Sequence, residues 1–374
     1  MREFGGIPGN LGANPWERCL ILSTMGTIFD YSSQGIEELV TSLGQPKFRA
    51  KQLIQWLYKH GVESYDQMTN LPAALRSKLK SEAPLVPPVV VDRQVSTDGT
   101  RKYLLRLHDG NLVETVGIPS RDTNAKGQPR RLTVCFSTQV GCPMRCSFCA
   151  TGREGFTRNL APGEMVWQVI TCQNDFGMRV TNIVAMGQGE PFLNYDNVIS
   201  ALRYMNSPDA LAIGARHISL STCGVLPGIR RFADEHEQFT LAVSLHCAIQ
   251  DTRDALMPGC TGAPLPQLKE ELLRYQRKAN RRITFEYLMV DSMTDTPGAL
   301  DALVDFCHGL QAHVNLLKIN HIDGSPLEPT PMNRLLAFQR ALEDAGIETT
   351  IRDSRGADID GACGQLKNSR KSAN

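Results

Sequence analysis

Cys142, Cys146 and Cys149 lie in the run GCPMRCSFCATG, separated by three residues and then two. Thiolates so close together can hold a soft metal centre, yet they stop one short of the four ligands that close a structural zinc site. A [4Fe–4S] cube held by three cysteines keeps one iron for a ligand that is not protein. The bland alternative is a structural zinc completed by a fourth group such as Cys135. Further along, MGQGEP (186–191) offers glycines, which permit close backbone approach, and the carboxylate of Glu190. It is not a dinucleotide fingerprint, because no third glycine stands three residues after Gly189.

The elements that must position these residues form an alternating pattern from Arg131 onward. Short β-like runs (RLTVCFST, VTNIVAM, RHISLST, FTLAVSLH, ITFEYLMV, HVNLLKI) are each followed by a helical stretch, near 163–176, 195–206, 225–236, 265–279, 298–310 and 331–345, and IETTIRD closes the series. Helical crossovers imply parallel strands and an α/β fold. Six strand–helix units are too few for an eight-fold barrel, so a partial barrel or strongly curved sheet is expected. In such folds active sites gather at the C-terminal ends of the strands. The cysteine triad, MGQGEP, STCG (221–224), LHC (245–247) and the Asn320–His321 pair all fall at strand ends.

Upstream, residues 33–84 read as helical, with Leu53, Trp56 and Leu57 at helical spacing and Gly61 as a stop signal. Three β-like runs follow, VVVDRQVST, RKYLLRLHDG and LVETVGIP, the last two joined by a turn at 108–111. The first 32 residues read as a loose Gly-rich extension with Met25 as an alternative start, and the tail after about Lys367 as disordered. A net charge of +1 excludes a uniformly basic coat, and no apolar run reaches membrane-span length. Eleven cysteines, an odd number without scaffold-like spacing, fit a reducing cytoplasmic compartment with some thiols metal-bound or catalytic. Cys172 and Cys307 fall in helices and read as small buried hydrophobes, while Cys19 and Cys260 carry no signal. Basic clusters at Arg130–Arg131, Arg230–Arg231, RKANRR (277–282) and the tail RKSAN fit RNA contact, though each alone reads as a solvated face.

Taken together, FRAKQLIQWLY (from Phe48), VETVGIP, SQVGCPMRCSFCATG (with Thr138 between its Ser and Gln), GFTRNL, MGQGEP, LSTCG, SLH, EYLMVD and RGADIDGACGQL resemble the radical S-adenosylmethionine superfamily and, within it, the RlmN RNA adenine-C2 methyltransferases. The chain departs from that pattern at Gln188, where the family usually has Met, near Cys223, where it often has Ser or Ala, and around His321, which lacks an aromatic–Asn–Pro sequence. The resemblance implies a partial (β/α)6 TIM-like radical SAM barrel with a small N-terminal helical domain and a β-hairpin extension. The corresponding boundaries are extension 1–32, helical domain 33–95, β extension and linker 96–130, barrel 131–353, and a C-terminal catalytic loop and tail 354–374.

By the same resemblance, Cys142, Cys146 and Cys149 ligate a [4Fe–4S] cluster whose fourth iron is chelated by S-adenosylmethionine. Gly189, Glu190, Ser221, Ser244, Leu245, His246 and Asn320 would hold that cofactor. Cys363 would accept a methyl group, a 5′-deoxyadenosyl radical would activate it, Glu114 would remove the C2 proton, and Cys135 would release product through a transient disulfide. The implied partners are 23S rRNA, tRNA (at the adenosine 3′ of the anticodon) and an external electron donor such as flavodoxin or ferredoxin, acting on a monomer without membrane attachment. Two rival expectations are Cfr-like C8 methylation of the same rRNA adenosine and a non-catalytic RNA-binding protein with a structural metal.

Overall fold

The computed structural model describes residues 26–368, so Cys19, Met25 and the RKSAN tail lie outside the described residues. The strands are β1 (Val89–Val95), β2 (Arg101–Arg106), β3 (Leu112–Pro119), β4 (Leu132–Cys135), β5 (Gln139–Gly141), β6 (Phe156–Asn159), β7 (Asn182–Ala185), β8 (Ile218–Thr222), β9 (Thr240–Ser244), β10 (Ile283–Met289), β11 (Ala312–Lys318) and β12 (Glu348–Arg352). Ten form one sheet in the order β1-β2-β3-β4-β7-β8-β9-β10-β11-β12, and β5 pairs with β6 separately. From β4 to β12 every neighbouring pair is parallel, whereas β1 to β4 are antiparallel. The result is the partial TIM-like barrel extended by a β meander.

The strands follow from their sequences. β10, ITFEYLM, is buried almost throughout, as a parallel strand covered on both faces must be. The crossover helices Pro162–Phe176, Tyr195–Asn206, Leu226–Asp234, Leu265–Ala279, Pro297–Cys307 and Met332–Asp344 fall where the apolar periodicity puts them. Pro162 opens the first with a preset φ, and Gly177, at φ +61°, ends it. The short helix Gln250–Leu256 and the β5–β6 hairpin have no counterpart in the sequence expectations. No helix among the described residues is long and apolar enough to cross a membrane.

The N-terminal helices Ser33–Ser42, Phe48–Ile54 and Ala73–Glu82 share the main core with the barrel. Two boundaries read from sequence differ from the structure. From Thr27 the extension is not loose: Ile28 and Phe29 are buried, Ile28 N–H donates to the Pro84 carbonyl at 3.1 Å, and the Phe29 ring sits 5.5 Å from Trp167. Gly163 permits that approach, since a Cβ there would lie 2.3 Å from the Phe29 ring. Val89–Val95, grouped with the helices at the 95/96 boundary, is strand β1, because its backbone pairs with β2.

Arg158, in the GFTRNL motif on β6, ties the hairpin beside the cysteine loop to the rest of the fold. Its guanidinium donates to both oxygens of buried Glu164 at 2.8 Å each and to Asp109 at 2.5 Å. Glu164 also accepts from Ala161 N–H at 2.9 Å, capping its own helix. Removing the arginine strands a buried carboxylate, a change that costs about 3 kcal/mol or more. Arg158→Ala is therefore expected to lower stability by about that amount in urea unfolding; an unchanged midpoint would show that the clamp is dispensable.

Candidate active site

The loop 142–149 has no regular structure of its own, and four different segments hold it. Cys142 N–H donates to the Gly155 carbonyl at 2.7 Å and Ser147 N–H to Leu256 at 2.9 Å. Gly259 N–H donates to the Met144 carbonyl at 2.9 Å, and Ala150 N–H to Gly364 at 2.7 Å. Two glycines allow the packing. A Cβ on Gly259 would lie 2.6 Å from Met144, and one on Gly152 would lie 2.9 Å from the Cys146 nitrogen.

Above the C-terminal ends of the strands lies a cavity of about 160 Å³ lined by Cys142, Cys146 and Cys149. Gly189, Glu190, Ser221, Ser244, His246 and Asn320 line the same cavity, as does Cys363. Ser221 and Ser244 present hydroxyls 3.3 Å apart. Glu190 is held by N–H donors from Phe192 at 3.0 Å and Cys223 at 2.7 Å, each on a different carboxylate oxygen. Gly189, at φ +105°, is pressed against Thr138 and Gln139, where a Cβ would approach to 2.7 Å. Leu245 does not join the lining: its side chain is fully buried in the main core, and its N–H donates to the Glu286 carbonyl at 3.1 Å.

Cys135, at the end of β4, and Cys363 line an adjoining chamber of about 220 Å³ that shares Cys149, Gly187, Glu286 and Asn320 with the first cavity. Glu114 lies outside both linings. Its buried carboxylate pairs with Lys102 at 3.2 Å and accepts from Lys367 N–H at 2.8 Å. Burial pushes its pKa up against the pull of Lys102. Nearby Glu154 is pushed up to about 7 by burial and by the Glu114 carboxylate.

Cys363 rides on a C-terminal strap fixed on two sides. Toward the β1–β2 turn, Arg355 Nε donates to Asp98 at 2.7 Å, Gly356 N–H to the same oxygen at 3.1 Å, and Ser96 Oγ to Asp358 at 2.6 Å. Toward the cysteine loop, Thr151 Oγ1 donates to the Leu366 carbonyl at 2.6 Å and Asn320 Nδ2 to the Cys363 carbonyl at 3.1 Å. Gly364, at φ +82°, lets the strap lie against the Phe148 carbonyl.

Known proteins align with this arrangement. The Ribosomal RNA large subunit methyltransferase N-terminal domain family matches residues 27–85, and the Radical SAM superfamily matches residues 136–295. A Synechococcus elongatus protein named "Probable dual-specificity RNA methyltransferase RlmN" is 44% identical over 344 residues, covering 90% of this chain and 92% of its own. A relative of the same name from Nostoc punctiforme is 42% identical, with 96% of each chain covered. The chain belongs to the RlmN family. A solved radical SAM methyltransferase from Sphaerobacter thermophilus superposes with a TM-score of 0.85 at 39% identity, covering 92% of this chain and 100% of its own. Membership makes the chain a radical S-adenosylmethionine methyltransferase with a [4Fe–4S] cluster and S-adenosylmethionine as cofactors. The non-catalytic reading falls with it.

The residues present fit such a cofactor pair. Burial raises the Cys142 thiol to about 12 and pushes Cys149 upward as well, and a bound cation would favour their thiolate forms. Arg253, which sequence reasoning missed, is fully buried beside the site. It donates to the Cys223 carbonyl at 2.6 Å, but its Nε and Nη1 have no partner. A buried cation of this kind matches an anionic group nearby. His246, at φ +57°, is pushed down to about 3 by burial and by Arg253, and its Nδ1 is likewise unpartnered. Glu286 was also missed, although a lone carboxylate inside ITFEYLMV is a readable signal. It accepts from Asn315 at 2.9 Å and lines both chambers.

If the Asp98 contacts fix the strap, Arg355→Ala should speed amide exchange across 356–366 about tenfold, the equivalent of one lost charge-assisted hydrogen bond. Exchange rates equal to those of the unaltered protein would place the anchor elsewhere.

Proposed function

We propose that this enzyme methylates C2 of adenosine in RNA, at one position of 23S rRNA and at the adenosine 3′ of the anticodon in tRNA, through methylated Cys363 and its release by Cys135. The observation that carries this reading is the chamber shared by Cys135 and Cys363, which has Cys149 and Cys363 in common with the lining of the three-cysteine cavity. The names of the relatives, dual-specificity RNA methyltransferases, support the substrate class.

C2 of adenine is an electron-poor amidine carbon and cannot attack a methyl sulfonium. A carbon delivered from a protein sulfur avoids that polarity. In this reading Cys142, Cys146 and Cys149 hold the cluster, while Gly189, Glu190, Ser221, Ser244, His246 and Asn320 surround S-adenosylmethionine. Leu245 would contribute only through its backbone. Bound together, cluster and cofactor supply the methyl group and the one-electron chemistry that activates it. Cys363 Sγ takes the methyl carbon and bridges it to C2. Glu114 accepts the C2 proton; its hydrogen bond from Lys367 N–H links it to the strap that carries Cys363. Cys135 then loses its proton and attacks Cys363 Sγ; the sulfur–carbon bond breaks, the freed carbon takes up a proton to become the methyl group on C2, and a disulfide forms. Two electrons from an external donor such as flavodoxin or ferredoxin restore both thiols. The burial that raises Cys135, assisted by nearby Cys363, keeps it a protonated thiol until a base or substrate changes its surroundings. The protein would work as a cytoplasmic monomer.

With reconstituted enzyme and RNA, Cys135→Ala is expected to accumulate a covalent protein–RNA adduct and Cys363→Ala to form none. Neither behaviour appearing would end the two-cysteine scheme. Digestion of the modified RNA should yield 2-methyladenosine; 8-methyladenosine would instead support Cfr-like regiochemistry. Gly364→Ala adds a Cβ 2.9 Å from the Phe148 carbonyl at a positive φ. It should retain iron but lose turnover about a hundredfold, as a displaced reacting sulfur does. Undiminished turnover would mean that the position of the strap is not critical.

A further inference from the structure

At the N-terminal ends of the parallel strands, opposite the cysteine loop, the barrel opens into a cavity of about 790 Å³. Its walls at this end include Arg131 before β4 and Arg216 and His217 before β8, while Arg352, at the C-terminal end of β12, lines its far side. Thr133, Met186, Glu286 and Arg352 are common to the linings of this cavity and of the chamber of Cys135 and Cys363, so the two lie against the same residues.

The basic clusters that the sequence brings forward are largely neutralised by acids of the fold. Arg230 pairs with Glu271, Arg231 with Asp196 at 2.6 Å, Lys278 with Asp234, and Arg282 with Glu348. At the mouth the Arg216 guanidinium has no hydrogen-bond or ion-pair partner among the described residues. Arg216 is exposed. The strap crosses the seam between the meander and β12 through Arg355–Asp98, Ser96–Asp358 and Arg121–Asp353.

We infer that the N-terminal mouth of the barrel is where the target nucleotide enters, with Arg216 and Arg131 holding the RNA phosphates that flank it. The inference rests on the proposed RNA methyltransferase reading and adds the route and the contacts. Volume suits the occupant, since pockets of about 300–1,000 Å³ hold small molecules of nucleotide size. Charge suits it also: an unpaired guanidinium beside a weakly paired one at a concave opening attracts a polyanion, and an unstacked base can pass where a duplex cannot. Arg131 is only loosely committed, to exposed Asp122 at 3.1 Å, and can exchange that partner for phosphate.

The test uses the full-length, cluster-loaded protein with an RNA hairpin carrying the target adenosine. Arg216→Glu and Arg131→Glu should each weaken RNA association about tenfold and flatten the dependence of log K on log salt by about 0.7 per lost phosphate contact. Iron content and unfolding midpoint should stay unchanged. Arg340→Glu, on the outer helix Met332–Asp344, should bind as the unaltered protein does. If the unaltered protein binds and methylates RNA while both mouth variants keep its affinity and salt slope, the mouth is not the route, although the methyltransferase reading stands. If all three variants weaken alike, the attraction is diffuse and the assignment of the mouth fails. If the unaltered protein neither binds nor methylates RNA, the underlying reading fails, and the route with it.

Discussion

A loop of eight residues with three cysteines must be rigid without helix or strand to make it so. That constraint organises the structure around it. Segment 142–149 has backbone groups to satisfy, and each side takes its partner from another part of the chain: Gly155, Leu256, Gly259 and Gly364. Several of these partners sit on elements with little else to do. The helix Gln250–Leu256 is one turn beyond β9, and the β5–β6 hairpin is only a few residues long. Arg158 extends the support outward by joining the hairpin to buried Glu164 and to Asp109 on the β2–β3 turn. The antiparallel meander is thereby connected to the cysteine loop through charge as well as through the sheet.

Gln188 shows how tightly the motifs interlock. Its side-chain oxygen accepts the backbone N–H of Glu114 at 3.1 Å. Its own carbonyl accepts from Thr138 N–H at 2.8 Å, so MGQGEP, VETV and the strand leading to the cysteines meet at one residue. The amide nitrogen of Gln188 is buried without a partner. A thioether would not incur that desolvation cost, so the glutamine gains a bond to the meander and leaves a donor unmet.

The barrel was legible in the sequence because its signals are local. Parallel strands such as TLAVS and ITFEYLM read as apolar runs, and the helices between them repeat at helical spacing. The triad and the Gly–Glu–Pro turn stood out for the same reason, since each follows a recognisable strand, whereas Ser221 and Ser244 were singled out only by the family resemblance. The supporting contacts were not. Asp98 and Arg355 are ordinary charged residues at opposite ends of the chain, and nothing in either neighbourhood announces the pairing. Arg253 reads as one more charge on a short helix, yet it is fully buried, because the partner that justifies its burial is a contact between distant segments. Leu245, chosen as a neighbour of two lining residues, points the other way, as alternation along a strand end requires.

The two sulfurs outside the triad sit in unlike settings, and the difference bears on the proposed reaction. Cys135 ends a strand held between β3 and β7, so it can be approached but cannot travel. Cys363 is exposed on a strap whose turns at Gly356, Asp360 and Gly364 all have positive φ, a backbone fixed by its contacts more than by regular structure. In the proposed reaction the carrier sulfur would have to serve both cavities, and Cys363 lines both from one position on the strap. A sulfur that ends that reaction by attacking the first would need a fixed position, which the sheet gives Cys135. The ties of the strap to Asp98, Thr151 and Asn320 hold Cys363 where the two linings meet.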